Sequence, residues 1–156
     1  MPEINILLVE DNNNDVRLVQ EALKDSKIEH TLQVATDGEM AMQLLYSTEF
    51  RPHIILLDLN LPKKTGIEVL KEIKRDSSLR PIPVIVFTNS RSEDDVVLAY
   101  ASYCNAYVRK PLGFEGLLEI LNRIGQFWFS TATLPKHTSL DLSMPPSSAD
   151  PLDDDD

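Results

Sequence analysis

Side chains of the kinds that bind metal ions and anions close four apolar runs of this chain. Glu10 and Asp11 follow Ile4 to Val9, Asp58 follows Ile54 to Leu57, Thr88 follows Val84 to Phe87, and Lys110 stands just beyond Ala106-Tyr107-Val108. If those runs are parallel strands of one sheet, their carboxyl ends put three carboxylates, a hydroxyl and an ammonium on a single rim, where open α/β sheets bind ligands. Crowded carboxylates repel and raise one another's pKa unless a cation neutralises them. A hard divalent ion such as Mg²⁺ takes oxygen ligands and keeps several waters, so two or three carboxylates and a backbone carbonyl are enough to hold it. Each residue also has an ordinary reading. Glu10-Asp11 can be a helix-capping pair, Asp58 a loop aspartate capping the next helix, Thr88 a satisfied strand end and Lys110 a surface lysine. It is the joint pattern that points to chemistry.

The elements that must position these groups follow from period and punctuation. His53 to Leu57 is short, apolar and followed by Pro62, which reads as a strand buried on both faces of a parallel sheet. Ile4 to Val9 is the first strand, and an amphipathic helix from about Asn14 to Ser26 carries Val16, Val19, Ala22 and Leu23 at helical spacing. Leu32 to Ala35 is a short second strand, and Asp37-Gly38 turns into a helix with Ala41, Leu44 and Leu45. Thr65 with Glu68 three residues on is a capping-box pattern. That helix turns Ile67, Leu70 and Ile73 inward with Val69 beside them, and Asp76-Ser77-Ser78 ends it. Pro81 and Pro83 bracket the entry to the fourth strand. The acidic turn Glu93-Asp94-Asp95 suits the positive end of a helix dipole. The last helix runs from about Phe114 through Leu117, Leu118, Leu121 and Ile124 towards Phe127-Trp128-Phe129. Strands and helices alternating five times describe a doubly wound α/β fold with a parallel sheet.

A chain of 156 residues has the length of one domain and can bury a core without disulfides or metals. The net charge of -10 is uneven. Residues 131–156 hold six acids and one base, while residues 1–130 hold 19 acids and 14 bases. A domain with that balance offers no basic face to nucleic acid, and nothing resembles an appended helix-turn-helix. The expected division is a domain over residues 1–130 and an acidic tail over 131–156, rich in Ser, Pro and Asp and expected to stay disordered. No apolar run approaches the ~20 residues that span a bilayer, and no basic region leads into a signal-peptide core. No membrane is expected, and the protein should be cytoplasmic. Lone Cys104 excludes an internal disulfide and reads as a small buried thiol, and His30, His53 and His137 are too scattered for a metal site.

With these residues on the page, the chain closely resembles the receiver domain of two-component response regulators, related to the chemotaxis response regulator. Glu10-Asp11 match the acidic pair, Asp58 with Pro62 four residues on the phosphoacceptor motif, Thr88 the switch hydroxyl, Tyr107 the switch aromatic and Lys110-Pro111 the Lys-Pro pair. The resemblance covers residues 4 to about 127. Leu61 stands where the family often has Met, and Glu10 where Asp is frequent; both keep polarity and roughly keep size.

The resemblance implies a flavodoxin-like five-stranded sheet of order 2-1-3-4-5 and a phosphoryl group accepted onto Asp58. It implies Mg²⁺ held by Glu10, Asp11, Asp58 and the backbone carbonyl of Asn60. Lys110 and Thr88 would meet the phosphoryl oxygens, Thr88 and Tyr107 would switch together, and the Lys110–Pro111 bond would be cis. The expected role is that of a phosphoacceptor with self-catalysed transfer and autodephosphorylation only, fed by a sensor histidine kinase. Val9-Glu10-Asp11-Asn12, and Phe127-Trp128-Phe129 ahead of Leu134-Pro135, look like the small regulators that pair with cyanobacterial phytochromes. A phosphohydrolase of the haloacid dehalogenase type would carry a second Asp two residues after the nucleophile, where this chain has Asn60. A pseudo-receiver that binds partners without phosphorylation is disfavoured by the intact Asp58, Thr88 and Lys110. Three consecutive large aromatics, with Tyr100 and Tyr103, point to a homodimer on the face of the fourth helix, fifth strand and last helix, extended by Phe127, Trp128 and Phe129.

Overall fold

The apolar runs become five parallel strands, because strands covered by helices on both faces bury every side chain. β3 (Ile54–Leu57) and β4 (Val84–Thr88) are buried at every position. β1 (Ile4–Val9) is buried from Ile6 on, and the edge strands β2 (His30–Ala35) and β5 (Ala106–Arg109) are half-buried. The sheet order is β2-β1-β3-β4-β5. In this computed structural model, residues 3–26, 28–47 and 49–135 are described. The acidic tail lies outside the described residues from position 136 on.

Alternate residues of each strand feed opposite cores. On one face Leu7, Val9, Ile55, Leu57, Val84 and Val86 meet α2 (Gly38–Tyr46), α3 (Gly66–Arg75) and α4 (Glu93–Ala101). On the other, Ile6, Leu8, Ile54, Leu56, Ile85 and Phe87 meet α1 (Asn13–Asp25) and α5 (Phe114–Gly125). The helices start where the sequence offers caps. Asn12 accepts from the Asp15 amide at 3.0 Å, which starts α1 one residue before the expected place. Thr65 and Glu68 exchange both bonds of a capping box. β2 begins at His30 rather than Leu32 because Ile4 and Asn5 pair with His30 and Thr31; backbone pairing, not hydrophobicity, extends that edge. Ile67, expected inward, lies half-buried at the margin of its core.

One expectation is corrected. Every peptide bond among the described residues is trans, Lys110–Pro111 included. Lys110 still points into the rim, because its amide donates to the Thr88 carbonyl at 2.8 Å and its side chain is drawn inward by carboxylates. After α5 the chain widens into a π-helical segment, Gln126–Thr131. Trp128 continues the buried stripe of Leu117, Leu121 and Ile124, and both Trp128 and Phe129 pack half-buried on the α1–α5 core. Phe127, edge-on to Trp128, is 52 % exposed. Two of the three aromatics therefore cap their own domain.

Candidate functional site

Register places the site. Val9 is level with Leu57, Leu57 with Val86 and Thr88 with Arg109, so the residues just past β1 and β3 stand side by side on one rim with the ends of β4 and β5. The Glu10 amide donates to the Ala35 carbonyl at 2.9 Å and the Asp58 amide to the Val9 carbonyl at 3.0 Å, which carries the sheet ladder into the site. Beyond Asp58 the loop turns back tightly. A Cβ on Gly66 would lie 2.2 Å from the Asp58 carbonyl oxygen and 2.5 Å from Leu59 Cα, so only glycine lets α3 start there.

Glu10, Asp58 and Lys110 are each at most 6 % exposed. Charges so deep persist only when paired and hydrogen-bonded. The Lys110 ammonium donates to Glu10 Oε1, to Asp15 Oδ2 at 3.0 Å and to Asp58 Oδ2 at 3.3 Å. Glu10 Oε2 accepts from the Asn12 amide at 3.1 Å, and Asp58 Oδ1 from the Asn60 amide at 3.3 Å. Burial, and then the neighbouring Asp58 charge, push the Glu10 carboxyl up to about 7 against the pull of Lys110. Burial pushes Lys110 down, but the bond to Glu10 and the charges of Asp58 and Glu10 outweigh it and hold the ammonium above its ordinary value. A single ammonium answers several carboxylates in this buried rim, which is short of positive charge. Oxygens of Glu10, Asp11 and Asp58 all lie within 4.8 Å of one another, and this set of hard donors fits a divalent cation such as Mg²⁺ or Mn²⁺.

Thr88 is fully buried, and its Oγ1 accepts from the Ser90 amide at 3.4 Å. Tyr107 is half-buried, and its hydroxyl donates to the Ser90 carbonyl at 3.4 Å. The two expected switch residues thus meet on one loop residue that sequence reasoning did not single out. Asp15 was missed as well. The signal available for it was a carboxylate in the first turn of the helix that leaves the acidic rim.

Residues 6–122 match the response regulator receiver domain family. The chain belongs to that family. A receiver-domain relative, response regulator Rcp1 of Synechocystis sp., is 49 % identical over 135 residues, which cover 83 % of this chain and 92 % of Rcp1. The chemotaxis protein CheY of Pseudomonas aeruginosa is 31 % identical over 121 residues, 78 % of this chain and 95 % of that one. Among solved structures, the phosphorylated cyanobacterial phytochrome response regulator RcpA superposes with a TM-score of 0.82 at 46 % identity, over 86 % of this chain and 100 % of RcpA. The Mn²⁺-bound form of Rcp1 gives 0.79 at 48 % identity, over 85 % and 99 %. The receiver domain is therefore a two-component response regulator whose relatives include phytochrome response regulators. No helix among its described residues is long and apolar enough to cross a membrane.

Proposed function

We propose that this receiver domain is a signalling switch that accepts a phosphoryl group from a sensor histidine kinase onto Asp58. The carrying observation is the buried contact of Asp58 with Lys110, beside a three-carboxylate group able to hold a cation. Glu10, Asp11, Asp58 and the Asn60 backbone carbonyl would hold Mg²⁺, and when bound it supplies charge neutralisation for a reaction that is mostly positioning and electrostatics. Asp58 is the nucleophile: the Asn60 amide and Lys110 each hold one of its carboxylate oxygens, which fixes the plane of the group, and burial keeps bulk water off it. Lys110 meets the developing charge on the transferred group, and Thr88 donates a hydrogen bond to it. Once Thr88 turns to the phosphoryl oxygens it gives up its contact with Ser90, to which Tyr107 is also bonded, so a local charge change reaches the face of α4, β5 and α5. Autodephosphorylation by water closes the cycle.

The phytochrome relatives make a phytochrome the favoured kinase. Val97, Leu98, Tyr100, Tyr103 and Phe127 expose 41–74 % of their surface, an apolar area that fits a homodimer on this same face. Trp128 and Phe129, half-buried on the α1–α5 core, extend that face beside Phe127. The test of the phosphoacceptor is labelling by a small phosphodonor in Mg²⁺. Wild type takes up acid-stable, base-labile phosphate, and Asp58→Asn does not, since an amide is too poor a nucleophile. Undiminished labelling of the variant would remove Asp58 from the role.

A further inference from the structure

We propose that Asp15 is a positioning residue that acts through Lys110 and restrains phosphoryl uptake at Asp58; this deepens the function proposed above and rests on it. An ammonium has three protons to give, and Glu10, Asp15 and Asp58 take all three of Lys110's. Glu10 and Asp58 are strand-end residues buried with Lys110. Asp15 comes from the first turn of α1, its side chain is 28 % exposed, and it stands outside the three carboxylates whose oxygens could share a cation. Its amide is tied to Asn12 Oδ1 at 3.0 Å, so the first turn is fixed and the carboxylate leans across the rim to Lys110. Glu10, Asp11 and Asp58 are the acids a divalent cation would answer. Among the described residues Asp15 is left answered by Lys110 alone, and it remains Lys110's carboxylate partner when Glu10 turns to a cation.

In the transfer, an Asp58 oxygen attacks the donor phosphorus. The new Asp58 O–P bond forms as the bond from phosphorus to the donor's leaving atom breaks, and that atom departs with the electron pair; from acetyl phosphate the leaving atom is an oxygen, which departs as acetate, and no proton need move. The product replaces one carboxylate charge with about -1.5 to -2. Every fixed anion nearby opposes that change, and Asp15 also competes with the phosphoryl oxygens for the same ammonium.

The experiment measures the apparent second-order rate of labelling by acetyl phosphate at saturating Mg²⁺, at low and high salt, in wild type, Asp15→Asn and Asp15→Glu. Asparagine keeps the oxygen acceptor without its charge. The Asn variant should label faster, on the order of three- to tenfold at low salt, with a gain that shrinks as salt screens the charge. The Glu variant should stay near wild type. Asp15→Ser, which also removes the charge, should repeat the gain if Asn perturbs α1. Equal rates in wild type and both uncharged variants, slower labelling in them, or a gain indifferent to salt would each overturn the role of Asp15. Absence of labelling in wild type, or labelling that survives Asp58→Asn, removes the phosphoacceptor reading itself, whereas a labelled, Asp58-dependent wild type with unaltered Asp15 variants removes this inference alone.

Discussion

Lys110 holds together acids that would otherwise expel one another. With it replaced by methionine, Glu10, Asp15 and Asp58 lose the shared ammonium. Removing one partner of a buried ionic group leaves uncompensated charge, and Lys110→Met should lower stability by about 3 kcal/mol in urea unfolding at neutral pH. Added Mg²⁺ should recover much of that loss, because the oxygens of Glu10 and Asp58 can answer to a divalent cation; a variant as stable as wild type without Mg²⁺ would contradict this account. His53 makes a second prediction. Its Nδ1 accepts from the Asn5 amide at 2.9 Å, and burial holds the imidazole below its ordinary 6.5. The unfolded chain therefore binds a proton at a pH where the folded one does not. Stability from this group is present above the unfolded value and is lost as pH falls through the folded one. Between pH 7 and 5 the urea midpoint of wild type should fall faster than that of His53→Gln, and parallel curves would show that His53 does not contribute.

At the scale of elements, the β3–α3 turn fixes the place of Asp58, the proposed phosphoacceptor, just past the end of β3. Gly66 is pressed against the backbone of Asp58 and Leu59, and neither can give way without moving the Asp58 side chain. Gly66→Ala should cost about 2 kcal/mol and reduce phosphate uptake with it, whereas Thr65→Ala, which removes only the capping hydroxyl of the same helix, should cost about 1 kcal/mol and leave uptake near wild type. Thermal melts paired with labelling separate the two; equal effects on uptake would place the constraint in the helix start as a whole. The capping box was legible in the sequence because a cap is a local pattern of side-chain and backbone groups three residues apart. The constraint on Gly66 was not, because what it touches became a neighbour only when the chain turned back after β3.

For the whole molecule, the proposed dimer surface is the one presented by α4, β5 and α5. Tyr103 and Phe127 are 74 % and 52 % exposed, while Trp128 packs against the α1–α5 core. Tyr103→Ser with Phe127→Ser should therefore weaken self-association at least tenfold with little change in stability, and Trp128→Ala should chiefly destabilise the fold. Sedimentation of each protein over a wide concentration series, with and without a phosphoryl mimic, checks this. A monomer at every concentration would refute the dimer, and equal constants in the two states would refute its coupling to phosphorylation.

Composition and spacing were sufficient to place the five strands, the alternating helices and the strand-end residues Glu10, Asp11, Asp58, Thr88 and Lys110, because buried parallel strands are unbroken apolar runs and the polar residue ending each run is a local signal. The sequence also carried the resemblance from which the sheet order was expected. What only the tertiary structure decided is how those ends interact. Lys110 divides its three protons among Glu10, Asp15 and Asp58, Thr88 and Tyr107 converge on Ser90, the Lys110–Pro111 bond is trans, and Trp128 and Phe129 fold back while Phe127 stays out. Asp15 and Lys110 are separated by 95 positions in the chain. No local period encodes such a contact; it exists because α1 packs against α5 and the sheet brings the ends of β1, β3 and β5 onto one rim.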